Sequence, residues 1–123
     1  SLVESAPGVE SQTDEKLVHL ADISPDLKRI EQYYTSGIKG VLASLTITTE
    51  NKDVIDGYMQ QLQVLDLEYE SLNLELTQAG PTEETITALV DNLKLRLELL
   101  MKLKTKLKEL KNNTNENISS IEV

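Results

Sequence analysis

Apolar residues recur along this chain at helical spacing, in three blocks separated by turn signals. The first block opens at Ser24-Pro25-Asp26, which supplies an N-cap, a first-turn proline and an acid at the positive end of the helix dipole. Leu27, Ile30, Tyr34, Ile38, Val41, Leu42 and Leu45 follow, and the β-branched run Thr46-Ile47-Thr48-Thr49 closes a helix of about 24–45. Ile23, just before the cap, is placed to staple onto Leu27 or the stem of Lys28. Gly37 and Gly40 each weaken the middle by roughly 1 kcal/mol relative to Ala and leave room for a neighbouring helix.

The second block predicts a helix over about 52–79. Ile55, Tyr58, Leu62, Leu65, Tyr69, Leu72 and Leu76 step by three and four, an unbroken heptad seam. Leu67 and Leu74 fall off that seam, so the helix should touch more than one neighbour. Ala79-Gly80-Pro81 stops it. The third block predicts a helix over about 82–111, with Glu83 and Glu84 in its first turn. Its seam is Ile86, Val90, Leu93, Leu97, Leu100, Leu103, Leu107 and Leu110, widened by Leu89, Leu95 and Leu99.

So short a join between the second and third helices predicts an antiparallel hairpin, each arm reaching roughly 40 Å. Charge agrees: residues 51–80 carry six acids and one lysine, whereas 81–111 carry seven bases and five acids. With the first helix packed across the hairpin, the expected fold is all-α, an antiparallel three-helix bundle over residues 23–111. Residues 1–22 hold Pro7, Gly8 and five acids against one lysine, and read as a flexible acidic leader or linker that orders near its end. The Asn- and Ser-rich segment 112–123 reads as a disordered tail.

Composition narrows the function classes. Four tyrosines are the only aromatics, so the core is Leu, Ile and Val, which suits helix seams better than a cofactor pocket, and no cofactor is expected. A formal charge of −9 opposes binding to nucleic acid and docking on anionic lipid. No run of about 18 apolar residues is present to span a bilayer. Cysteine is absent, which removes disulfides and thiolate metal sites. The chain begins at Ser1 without a methionine and is read as an expressed or processed fragment, leaving room for a signal or membrane anchor upstream.

Catalytic residue types are scarce, and no enzyme is expected. The one histidine, His19, lies in the leader and reads as solvated. Asp66, Glu68 and Glu70 cluster on the second helix, but di-iron bundles need helix-borne histidine, so a solvated acidic face is the better reading and no metal is expected. Lys102, Lys104, Lys106, Lys108 and Lys111 spread around their helix near its C-terminus, where the dipole favours cations; a docking surface for an acidic partner is the lesser reading. Asn92 and Arg96, one turn apart beside the apolar stripe, form a polar latch or a recognition pair. Arg96 could meet Asp66 or Glu70, or stack on Tyr33, Tyr34 or Tyr69. The tripeptides Asn112-Asn113-Thr114 and Asn117-Ile118-Ser119 fit a glycosylation pattern but are given no role in so asparagine-rich a segment.

The stretch Leu20-Ala21-Asp22-Ile23-Ser24-Pro25-Asp26-Leu27, with Glu31 and Tyr33-Tyr34-Thr35-Ser36-Gly37-Ile38, carries a resemblance. Leu62, Leu65, Tyr69 and Leu72, then Ala88-Leu89-Val90-Asp91-Asn92 with Arg96, Leu99, Leu100 and Glu116-Asn117, extend it over residues 17–118. Together they resemble the extracytoplasmic part of single-pass membrane proteins of Bacteroidetes described as anti-sigma factors. The resemblance implies a cytoplasmic sigma-binding segment and an inner-membrane helix outside these residues, with this chain as the periplasmic part and its acidic leader as juxtamembrane linker.

The expectation is then a non-catalytic periplasmic sensor or interaction domain of a membrane-bound regulator. It would act through a protein partner or homodimer, and meet the membrane only through a segment outside this chain. Tyr33, Tyr34, Asn92 and Arg96 are its candidate determinants. A self-associating structural coiled coil and a periplasmic chaperone-like hairpin are the alternatives. Coverage of Leu67, Leu74, Leu95 and Leu99 within one chain discriminates among these readings.

Overall fold

Among the described residues the chain forms the three expected long helices and one short helix that the pattern did not predict. The computed structural model describes residues 17–122, with side chains through Asn113. We label the helices α1 (Leu20–Ile23), α2 (Pro25–Ser44), α3 (Lys52–Ala79) and α4 (Glu83–Glu122). The described residues are all-helical and contain no strand.

Each boundary has a chemical cause. The Leu27 N–H donates to Ser24 Oγ at 3.1 Å, and Pro25 occupies the first turn, so α2 starts where the cap signal predicts. It ends as Leu45 turns extended, its N–H donating to the Leu42 carbonyl. Asn51 then pins the loop. The Thr48 N–H donates to Asn51 Oδ1 at 2.7 Å, the Asn51 N–H to Thr48 Oγ1 at 3.2 Å, and Asn51 Nδ2 to the Thr46 carbonyl at 2.9 Å. At the end of α3, Gly80 takes a φ of 85°, a left-handed value that a side chain would strain, while its N–H donates to Leu76. Thr82 caps α4 by accepting the Thr85 N–H at 3.1 Å.

Helix α4 is the common partner of α2 and α3. Leu89, Leu93, Leu100 and Leu103 on it are fully buried, together with Leu20, Ile38, Val41, Ile55 and Leu76 from the other elements. Along α3 only Ile55 and Leu76 of the seven seam positions are buried; Tyr58, Leu62, Leu65, Tyr69 and Leu72 are half-covered. The asymmetry arises because α4 is flanked by two helices while most of α3 is packed against one. Leu89, expected to flank the seam, lies at its centre: a straight helix drifts relative to a strict heptad, so the buried face rotates along α4. Gly37 gives the close approach expected of it, since a Cβ there would sit 3.3 Å from the Leu97 methyls. Gly40 faces open space and has no such role.

Two expected boundaries change. The leader was drawn to residue 22, yet Val18 donates its N–H to Thr77 Oγ1 at 2.7 Å and Leu20 is fully buried. His19 begins α1, its N–H donating to Asp22 Oδ2 at 2.9 Å. Residues 17–22 therefore belong to the packed unit, because Leu20 joins the core cluster and Val18 packs against it, as does the following Ile23; residues 1–16 lie outside the described residues. The third long helix also continues to Glu122, through the segment expected to be disordered. No glycine or proline follows Pro81, so nothing in the backbone terminates it.

Candidate interaction surface

A ladder of polar contacts joins α3 to α4. Thr85 Oγ1 donates to Glu75 Oε2 at 2.8 Å, Asn92 Nδ2 donates to Glu68 Oε1 at 2.8 Å and to the Leu65 carbonyl at 2.9 Å, and Arg96 pairs with Asp66 at 2.8 Å. As one residue number rises its partner falls, so the two helices run antiparallel along this ladder. Asn92 is 2% exposed amid leucines, and its Oδ1 is buried without a partner. A buried polar group left half-satisfied is costly, so this side chain fixes register more than it adds stability.

Arg96 does more than pair with Asp66. Its guanidinium lies 5.3 Å from the centre of the Tyr69 ring, on the α3 tyrosine rather than on Tyr33 or Tyr34. The Tyr69 hydroxyl in turn donates to Glu31 Oε2 of α2 at 3.4 Å. Burial, then the Glu31 charge and its hydrogen bond, push the Tyr69 phenol well above its ordinary pKa, with Arg96 opposing. Glu31, Tyr69, Arg96 and Asp66 thus link all three long helices. Glu31 had no sequence signal for this role, since a contact 38 positions away leaves no local pattern.

The four candidate determinants divide into two pairs. Asn92 and Arg96 reach inward to α3 and are latch residues. Tyr33 and Tyr34 pack edge-to-face on α2, with centroids 5.1 Å apart and planes at 79°. Tyr33 is exposed, and the pair borders a shallow depression with Leu97 and Met101. The lysines also separate: Lys104, Lys108 and Lys111 line a groove of about 660 Å³ beside the α2–α3 loop, whereas Lys102 borders a different one. Among the described residues no three His, Asp or Glu side chains are grouped to hold a metal ion, Asp66, Glu68 and Glu70 included.

Several apolar side chains on α3 and α4 stand exposed among polar ones. Val64 is 66% exposed, Leu67 58%, Leu95 51% and Leu74 48%, while Leu99 is half-buried. Beside them a groove of about 430 Å³ is lined by Val64, Leu65, Leu95 and Leu99, with Gln61, Glu98 and Lys102 at its rim. Val64 was missed in the sequence, although its spacing of three and ten from Leu67 and Leu74 continues a helical stripe. No helix of the described residues is long and apolar enough to cross a membrane. No protein-family model, curated protein or solved structure matches this chain.

Proposed function

We propose that this chain is a non-catalytic interaction domain, an antiparallel three-helix bundle with a long hairpin, that regulates through protein–protein contact. In this reading it is the periplasmic part of a single-pass membrane regulator of the anti-sigma type, as the sequence resemblance implies. A partner seated on the hairpin would alter the anchor's stability or its access to protease.

The observation that carries the reading is the exposed set Val64, Leu67, Leu74 and Leu95 on two adjacent helices. Single exposed leucines are ordinary, but Val64 and Leu95 come from neighbouring helices to line one groove with Leu65 and Leu99, and an apolar groove of that kind marks an association site. Covering the exposed half of each side chain contributes on the order of 1 kcal/mol apiece, enough to matter for a transient contact. The polar ladder between α3 and α4, anchored on the buried Thr85 and Asn92, holds the two helices in one register, so the surface is preorganised. Tyr33 and Tyr34 offer an aromatic contact on the α2 side of α4.

The test is site-specific photocrosslinking in cells, with the crosslinking side chain placed at position 95 or 64 and, as control, at the exposed Lys39. Discrete protein adducts from 95 and 64, with none from 39, are expected. Equal labelling at all three positions would sink the interaction reading.

A further inference from the structure

We infer that the lysine-lined groove beside the α2–α3 loop is a second binding site, separate from the Val64–Leu95 groove, and that it takes a short, extended acidic segment of a partner protein. Lys104, Lys108 and Lys111 line it from α4, and Leu45, Leu107 and Leu110 give it an apolar lining. At about 660 Å³ the concavity is of ligand-site size. The loop on its other side is pinned by the three hydrogen bonds of Asn51, so that wall is fixed before a ligand arrives. The lysine row has neither a partner nor a local reason. Among the described residues the ion pairs are Arg29–Asp26, Lys52–Asp56 and Arg96–Asp66, so none of the three groove lysines is paired there. Lys104 and Lys108 stand four positions apart and Lys108 and Lys111 three, which stacks like charges on one face and destabilises the helix. The helix dipole, expected to favour these cations, does not offset that repulsion. Helix α4 runs on to Glu122, roughly three turns past Lys111, and the dipole acts within the last turn. A bound anion removes the repulsion.

The acids nearby do not cancel the row. Glu50 is the one carboxylate among the lining residues, and it sits on the loop side. Glu109 borders a different depression, with Lys106, on the other side of α4. The spacing then selects the ligand. Lys104 and Lys108 are separated by roughly 6 Å of rise along α4, and alternate residues of an extended chain stand roughly 7 Å apart on one side. Two acids at alternate positions therefore meet the lysine row, while the apolar residue between them turns toward the loop and Leu45. Glu50 repels an acid on that side, so the carboxylates must face α4. A bilayer or a nucleic-acid backbone presents anions over a broad surface and would meet the rest of a chain of charge −9, whereas a peptide lying in the groove meets only its lining.

Fluorescence anisotropy of a dye-labelled peptide of alternating glutamate and leucine, titrated with the full chain, tests the site. Saturable binding that weakens as salt is added is expected. The double variant Lys104→Glu with Lys108→Glu should weaken it by about tenfold or more. Lys94→Glu with Lys106→Glu makes the same change in net charge at exposed residues that do not line the groove, and should leave binding within about twofold. Far-ultraviolet circular dichroism confirms that both variants are folded. Absence of saturable binding, or an equal loss in the two double variants, overturns the inference. Binding of phosphatidylglycerol vesicles but not of the peptide, abolished by the Lys104→Glu and Lys108→Glu changes, also overturns it and assigns the groove to a lipid headgroup.

Discussion

Replacing Asn92 separates what its polar contacts contribute from what its volume contributes. In Asn92→Ala two hydrogen bonds disappear, to Glu68 Oε1 and to the Leu65 carbonyl. The first is charge-assisted, but Glu68 is an exposed residue, so about 1 kcal/mol is a fair share; the second goes to a helical carbonyl and adds about 0.5–1 kcal/mol. The void left among Leu89, Leu93 and neighbouring side chains costs a further ~1 kcal/mol. Against this, removing the unpartnered Oδ1 returns about 1 kcal/mol. The expected net loss is about 1–2 kcal/mol. Asn92→Leu forfeits the same bonds and sheds the same orphaned oxygen, but fills the site and buries about 1.5–3 kcal/mol of apolar surface. By these figures it should equal or exceed the unaltered chain, by up to about 2 kcal/mol, because swapping a buried polar latch for a hydrophobe is often neutral or stabilising. Urea unfolding followed by circular dichroism, with linear extrapolation, measures both. Asn92→Leu as damaging as Asn92→Ala would refute the division, and Asn92→Ala within ~0.3 kcal/mol of the parent would refute the latch itself.

Three other perturbations probe the same framework. Arg96→Met should lower stability by about 1–2 kcal/mol through loss of the Tyr69 contact and the Asp66 pair, whereas Asp66→Asn, at the exposed end of that pair, should cost under ~0.5 kcal/mol in the same urea assay. Because the folded Tyr69 phenol ionises above the unfolded value of about 10, its stabilising contribution is whole below that pH and is lost as pH rises beyond it. The urea midpoint should therefore fall more steeply above pH ~10 in the parent than in Tyr69→Phe, and parallel curves would exclude Tyr69 as the source. Gly40→Ala, into open space on a helix, should raise the melting temperature by an amount corresponding to ~0.5–1 kcal/mol. Gly37→Ala should gain less, since its Cβ would press on the Leu97 methyls, and an equal gain at both positions would argue against close packing there.

Local chemistry wrote the helices into the sequence. Ser24 and Pro25 start α2, the Gly80-Pro81 pair stops α3, and the three-and-four spacing of leucines marks which face of each helix seeks cover, because these effects act within a turn or two of one residue. The same locality made Arg96 legible as a residue reaching for carboxylate or ring. What the sequence could not settle was which candidate partner it would meet: Asp66 and Tyr69 were chosen over Glu70, Tyr33 and Tyr34 only by how α3 and α4 align. Leu20 looked like part of a linker until the folded helices offered it a buried site, and Glu31 had no pattern to betray its contact with Tyr69. Nor could spacing decide that Leu89 sits at the centre of the core while Leu95, six residues on, faces water. Periodicity fixes angles around a helix axis; the placement of neighbouring helices, set by packing between residues distant in the chain, determines which of those angles are covered.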